Sequence, residues 1–280
     1  MKPESFDRLL EGASVLIHSA SPFFIGTSHD PKTELLDPAV QGTQNALEAA
    51  KRAKGIRRVV VTSSVASVFG DNQDMQVEGV SAFSEAHWNT SSRLDHQPYQ
   101  YSKVMAERKA WELAGDAAFD LITINPGLIV GPSLAPDSAS GSMEVMSQFL
   151  DGTLAMGAPD LEFPLVDVQD VAEAHVKAAT WPDLSGRYII VDRTMSFMHM
   201  SRVLSALELK RLPKYTLPKW LVWLAAPFVG QSREMIQKNV GHHIEFDTEK
   251  SKHELKLEYR PVARSIKEHV LQLKNSRSSK

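Results

Sequence analysis

Apolar positions along this chain alternate between short continuous runs and longer stretches with helical spacing, and their order predicts a parallel α/β sheet. Ser5–Glu11 reads as a short amphipathic helix stopped by Gly12, and Ala13–Ser19 as a buried strand. Pro38–Lys54 places Val40, Ala46, Leu47, Ala50 and Ala53 at helical positions and stops at Gly55. Val59–Ser64 is β-branched and polar on neither face, the pattern of a central strand covered on both sides. Pro98–Ala114 is a helix that sets Val104, Met105, Trp111 and Leu113 against Lys103, Glu107, Arg108, Lys109 and Glu112, with proline tolerated at its start. Phe119–Asn125 is a third strand, closed by Pro126-Gly127. A Ser/Pro/Gly-rich stretch runs from Gly131-Pro132 to Gly141 and crosses to another domain. Val168–Thr180 is a helix with Val171, Ala172, His175, Val176 and Ala179 on one face. Arg187–Val191 is a strand, and two or three helices follow from Met195.

Composition narrows the function classes. The chain has 280 residues, room for two modest domains, with the hydrophobic and charged content of an ordinary globular protein. A net charge of −3 gives no sign of a nucleic-acid or anionic-membrane partner. The absence of cysteine removes disulfides, thiolate metal sites and thiol nucleophiles. The first residues are too polar for a signal peptide, so a cytoplasmic location is expected. The longest apolar run, Trp220–Val229, is too short to span a bilayer; proline flanks and interrupts it, which suits a buried helix or the wall of a substrate pocket. The tail Lys274–Lys280 is polar and expected to fray.

Tyr99 and Lys103 carry the most chemistry. On a helix, positions four apart share a face. A free phenol titrates near about 10, and an adjacent ammonium stabilises the phenolate and lowers that value, tuning the pair as a general acid. The spacing by itself is cheap: Tyr215 and Lys219 repeat it, but Pro218 falls between them and Pro213 just before, against a continuous helix. Ser63 and Ser64 end the central strand, and ligands of doubly wound sheets bind outside the carboxyl ends of strands. Taken singly, these serines satisfy a strand end and the Tyr/Lys pair is a solvated face. His242-His243 reads as a surface pair, because adjacent histidines point apart. His18 and His175 read as satisfied structural histidines. Asp170 reads as a helix-start carboxylate favoured by the dipole, although Asp167 and Asp170 could form an acid–base pair. Trp220 and Trp223, with Leu221 and Leu224, pack a substrate domain or line its pocket.

Together the elements resemble a family. A strand-end serine followed 35 positions later by a helical Tyr-x-x-x-Lys is the order of short-chain dehydrogenases/reductases. Val15–Pro22 resembles the strand and turn facing the cofactor in the extended branch of that superfamily, and Val40–Leu47 its Asn-Val-x-Gly-Thr-x-Asn helix. Asn125–Pro132 is similar to its Arg-Pro-x-x-Val-Tyr-Gly-Pro turn beside the nicotinamide, and Val166–His175 to its later helix start. Thr62-Ser63-Ser64 and Tyr99-x-x-Ser102-Lys103-x-x-Ala106-Glu107 resemble dihydroflavonol reductase, cinnamoyl-CoA reductase and related microbial ketone and aldehyde reductases most closely.

The resemblance implies a Rossmann-type parallel sheet with helices on both faces, truncated at its N-terminus, and a smaller C-terminal substrate domain. Residues 1–133 and about 160–194 would form the remainder of the dinucleotide-binding domain, and about 134–159 and 195–280 the substrate domain. It further implies an NAD(P)H-dependent reduction of a ketone or aldehyde. Tyr99 would donate the proton, Lys103 would tune it and hold the nicotinamide ribose, and Ser64 would orient the carbonyl, with Ser63 and Ser67 as neighbours open to that role. The cofactor, NADP in preference to NAD, would face Ser19, Ala20, Ser21, Thr62, Ser63, Tyr99, Lys103, Pro126, Gly127, Leu128 and Ile129. The partner would be a small carbonyl compound, not nucleic acid, and no metal is implied.

One departure stands out. None of the 15 glycines forms the Gly-rich turn that brings a dinucleotide pyrophosphate to a helix N-terminus. The chain is expected to begin where the family has already completed three strands and two helices. A catalytically impaired, non-enzymatic form is therefore one alternative, and a sugar-nucleotide-type epimerase of the same superfamily another. Val65-Ala66 after the strand-end hydroxyl counts against a dehydratase.

Overall fold

Val59, Val60 and Val61 are buried whichever way they point, which makes their strand the middle of a covered sheet. The computed structural model describes residues 6–20, 30–134 and 141–278. In chain order its first half contains β1 (Val15–His18), α1 (Asp37–Arg52), β2 (Arg58–Thr62), α2 (Asp74–Glu78), α3 (Pro98–Ala114), β3 (Asp120–Pro126), β4 (Leu128–Val130) and α4 (Gly141–Asp151). There follow β5 (Glu162–Asp167), α5 (Val168–Thr180), β6 (Gly186–Ile190), β7 (Arg193–Ser196) and the helices α6 (Phe197–Leu204), α7 (Lys219–Ala225), α8 (Arg233–Asn239), α9 (Glu249–Glu254) and α10 (Val262–Ser278).

Two sheets organise these elements. The first is wholly parallel, in the order β1-β2-β3-β6. On one face Ala46, Leu47 and Ala50 of α1 and Ala110 of α3 close over Val59, Val61 and Leu121. On the other, Val171, Ala174 and Ala178 of α5 pack with Val60, Ile122, Ile124 and Tyr188. Helices thus cover both faces, as the parallel pattern requires. The second sheet, β4-β5-β7, pairs β4 with β5 in parallel and β5 with β7 antiparallel. Against it lies a separate core of Val145, Met146, Phe149, Phe197, Met200, Leu204, Val262, Ile266 and Val270.

Local signals explain the well-defined ends. Pro98 opens α3 at its first helical position, after Gln97 in the left-handed region (φ 58°). Asp167 caps α5 by accepting the Gln169 amide at 2.7 Å, and Asp170, in the first turn of that helix, is ion-paired with Arg260. Gly127 hinges β3 to β4, carrying the chain from one sheet to the other. A side chain there would stand 2.5 Å from the Pro164 carbonyl oxygen, so the position admits only glycine without movement.

The sequence expectations differ from the structure in three places. Within Ser5–Glu11 the structure forms 3₁₀ turns, one of them Arg8–Leu10, in place of an amphipathic α-helix, and Ser5 lies outside the described residues. The second sheet was not foreseen, because its strands are three to six residues long and Pro164 sits inside β5, where proline argues against a strand. From Met195 onward the described chain forms five α-helices, not two or three. Most are eight residues or shorter, and Ser196 and Ser232 cap two of them, so little periodicity accumulates.

Candidate active site

The carboxyl ends of β1, β2 and β3 open at one edge of the parallel sheet, and α3 runs alongside them. Tyr99 stands one residue after the opening proline of α3 and Lys103 one turn later. The Tyr99 hydroxyl is hydrogen-bonded to Ser64, which follows β2. The Lys103 ammonium lies 5.6 Å from the centroid of the Tyr99 ring. Ser64 hydroxyl also reaches the Pro126 carbonyl at 3.4 Å. The second Tyr-x-x-x-Lys, by contrast, does not share a helix: α7 starts only at Lys219, after Pro218.

Burial governs the charges here. The Tyr99 phenol is pushed well above its usual range by desolvation, with the Ser64 hydrogen bond acting against that. The sequence expectation was the reverse, a phenol lowered by its ammonium neighbour; loss of water decides the direction instead. Lys103 moves the other way, lowered to about 8 by burial, with the Glu107 carboxylate partly restoring it. Among the described residues, no hydrogen bond or ion pair uses Lys103 Nζ. The side chain faces a small opening at the strand ends, lined by His18, Ala20, Thr43, Thr62, Ser63 and Glu107 among others. His18 titrates below its usual value, through burial first and the Lys103 charge second.

The residue that sequence reasoning placed on the charged face, Glu107, is buried beneath this pocket. Its Oε2 accepts from Ser63 Oγ, Ser67 Oγ and, at 2.7 Å, Asn125 Nδ2. Oε1 accepts from Arg187 Nε at 2.6 Å and Thr123 Oγ1 at 3.2 Å. Arg187 in turn donates to the Glu85 carbonyl at 2.8 Å and stacks on Trp88 with its guanidinium carbon 3.9 Å from the ring centroid. Seen along α3, Tyr99, Lys103 and Glu107 recur every fourth residue, and that repeat was the available signal.

The three candidate serines are therefore sorted. Ser64 turns towards Tyr99, whereas Ser63 and Ser67 turn inward to Glu107. Thr62 Oγ1 lies 2.7 Å from His175 Nε2, and His175 Nδ1 lies 2.7 Å from the Val171 carbonyl. Since a carbonyl only accepts, Nδ1 carries the proton and Nε2 accepts from Thr62. Burial holds His175 below its usual pKa, which favours this neutral form. Ala20 lines the pocket, Ser19 is exposed beside it, and Ser21 lies outside the described residues. Pro126 and Gly127 form the turn next to Ser64, while the side chains of Leu128 and Ile129 pack into the two cores. His243 pairs with Glu162 at 2.8 Å, and among the described residues no group of three or more His, Asp or Glu side chains could hold a metal ion.

Residues 1–191 match the NAD dependent epimerase/dehydratase family. The chain is 32% identical over 276 residues to cinnamoyl-CoA reductase of Medicago truncatula, covering 98% of this chain and 77% of that one. It is 33% identical over 226 residues to an anthocyanidin reductase of Vitis vinifera, covering 76% of this chain and 64%, just under two thirds, of the relative. Its fold is similar to that of the yeast methylglyoxal/isovaleraldehyde reductase complexed with NADPH, with a TM-score of 0.78 at 25% identity over 99% of this chain and 82% of the other.

Proposed function

We propose, for a chain that belongs to the NAD dependent epimerase/dehydratase family, that it reduces a ketone or aldehyde to the alcohol with a nicotinamide cofactor, Tyr99 delivering the proton. The observation that carries the reading is the Tyr99 hydroxyl hydrogen-bonded to Ser64 with the Lys103 ammonium beside the same ring. Similarity to cinnamoyl-CoA and anthocyanidin reductases supports the reaction class, and the NADPH held by the yeast relative supports NADPH over NADH. A cytoplasmic reaction is part of the same reading.

The residues present suit the nicotinamide side of such a cofactor. Lys103 faces the pocket at the strand ends, and His18, Ala20, Thr43 and Thr62 line the same opening. When bound, the nicotinamide supplies the hydride to the carbonyl carbon.

The chain's own groups handle the oxygen and its proton. Burial keeps the Tyr99 phenol protonated at neutral pH, so it holds a proton ready to donate. Ser64 hydroxyl, already on Tyr99, can share its hydrogen bond with a carbonyl oxygen placed between the two and fix where negative charge develops. As the proton leaves Tyr99, the Lys103 cation stabilises the phenolate that remains.

Titration of NADPH and NADH, followed by nicotinamide fluorescence, should show saturable binding that is tighter for NADPH. With isovaleraldehyde or cinnamoyl-CoA as substrate, Tyr99→Phe should cut turnover by roughly 10²-fold or more while binding persists. No saturable binding of either nucleotide would reject the reading, and unchanged turnover in Tyr99→Phe would reject the role of Tyr99.

A further inference from the structure

Asp71 is wholly buried, at 0% exposure. Taking a carboxyl group out of water is costly unless it is matched, so its partners show what it serves. Oδ2 lies 2.7 Å from His96 Nε2, and Oδ1 accepts from Asn239 Nδ2 at 2.6 Å and from Gln97 Nε2 at 3.2 Å. The Lys238 ammonium stands 3.8 Å from Oδ2. These partners come from two distant segments. His96 and Gln97 immediately precede α3, and Lys238 and Asn239 end α8. The loop that carries Asp71 is fixed as well. Asp74 accepts the Gly70 and Asp71 amides at 3.0 and 2.9 Å and the Ser91 hydroxyl at 2.6 Å, and Asn239 Oδ1 accepts the Asn72 amide at 2.9 Å. Buried polar groups matched in this way make a rigid network.

Gln97 shows what the network holds. Its backbone sits in the left-handed region, φ 58° and ψ 52°, which a residue with a side chain adopts rarely. Before a proline the ordinary alternative is extended backbone. Gln97 is the last residue ahead of α3, and its carbonyl accepts a helical bond from the Tyr101 amide at 3.0 Å. Its side chain caps nothing in α3 and reaches Asp71 instead. Upstream, the chain is clamped in a tight turn: the Arg93 amide donates to the His96 carbonyl at 2.7 Å, and the His96 amide to the Arg93 carbonyl at 3.1 Å. Downstream, the Pro98 ring fixes its own φ. The dihedrals of Gln97 therefore set the direction in which α3 leaves the clamp. Tyr99 stands two residues on, in the first turn of that helix. An extended Gln97 would swing the phenol away from Ser64.

Resting on the reading that Tyr99 delivers the proton, we propose that Asp71 is a positioning residue, which holds the Gln97 side chain, keeps Gln97 left-handed and so aims the Tyr99 hydroxyl at Ser64. Asp71 acts through Gln97 and not at the reacting atoms. Helix α8 shares in this, because Asn239, 168 positions from Asp71, binds the same carboxyl oxygen as Gln97. The aim of the phenol thus depends on a segment outside the parallel sheet.

The test reads Tyr99 directly. The chain has 5 tyrosines, so labelling them with carbon-13 at Cζ gives a simple spectrum in which Tyr99→Phe assigns the resonance of interest. Asp71→Ala should shift the Tyr99 resonance and lower kcat for isovaleraldehyde roughly tenfold or more, with KM and NADPH affinity within about twofold of the unaltered chain. Asp71→Asn keeps an oxygen for Gln97 and offers His96 a nitrogen that its other tautomer accepts from, and should restore both readouts. Glycine takes the left-handed region without a tether. Gln97→Gly added to Asp71→Ala should therefore recover the resonance and the turnover, while Tm stays as low as in Asp71→Ala alone. Should Asp71→Ala fail to fold, Gln97→Ala against Gln97→Gly makes the same comparison: both lose the bond to Asp71, and only the alanine variant should lose the Tyr99 signal and turnover. The proposal is overturned if the Tyr99 resonance stays in place in folded Asp71→Ala or Gln97→Ala, or if glycine at position 97 recovers neither readout. Absence of NADPH-dependent turnover in the unaltered chain would reject the reductase reading alone, and the resonance would still decide whether Asp71 aims the phenol.

Discussion

Ser63 and Ser64 are neighbours at the end of β2 that serve opposite sides of the site. Ser63 hydrogen-bonds the buried Glu107 carboxylate, and Ser64 hydrogen-bonds the Tyr99 hydroxyl. Alternation along an extended chain separates them. One belongs to the floor that fixes the geometry, the other to the surface where a carbonyl would sit.

Substitution should separate these tasks. Ser64→Ala is expected to lower kcat by roughly 10²-fold, with stability changed by less than about 1 kcal/mol. Ser63→Ala withdraws a donor from Glu107 and should cost about 1–3 kcal/mol of stability with a smaller effect on kcat. Urea unfolding beside steady-state kinetics reads both, and equal effects of the two variants on kcat would contradict the assignment.

The Glu107–Arg187 pair should be a stability element. Arg187→Met leaves a buried carboxylate without its cation and is expected to cost about 3–5 kcal/mol. Adding Glu107→Gln removes the stranded charge and should recover much of the loss. A double-mutant cycle on urea midpoints checks this; additive losses would mean that the pair is not coupled.

Lys103 carries a pH signature. Its pKa in the folded chain, about 8, lies below the unfolded value of about 10.4. Below pH 8 the group is charged in both states and the cost of burying the charge is fully present. Between the two values the unfolded chain binds more protons, so stability rises with pH. Lys103→Met should therefore be the more stable protein at pH 7, by on the order of 3 kcal/mol, and the difference should shrink towards pH 10. Reductase activity of the unaltered chain should fall as pH rises through about 8, when the cation beside Tyr99 is lost. A stability difference that does not change with pH would show that Lys103 titrates normally.

Gly127→Ala tests the hinge between the sheets. Its Cβ would meet the backbone of Pro164 at 2.5 Å, a contact no rotamer change can relieve. Movement of β4 against β5 should cost about 1–3 kcal/mol and lower Tm, measured by thermal denaturation. An unchanged Tm would mean that the hinge is softer than its packing implies.

The sequence by itself determined the parallel sheet, because the unbroken valines of β2 and the amphipathic α1, α3 and α5 each carry their periodicity within one segment. It also singled out Tyr99, Lys103 and Ser64, since their order and the motifs around them are properties of the chain read in one dimension. Only the tertiary structure decided which serine turns to the phenol, because hydroxyl direction depends on what lies across the strand end. It alone moved Glu107 from an apparent solvated face to the buried floor, because its partner Arg187 stands 80 positions away and burial needs both. It alone turned the apolar run at Trp220 outward, since the same hydrophobicity suits a core or a surface until neighbouring helices claim one side. Short-range pattern settles local conformation; which groups meet, and which lose their water, is fixed by contacts between distant segments.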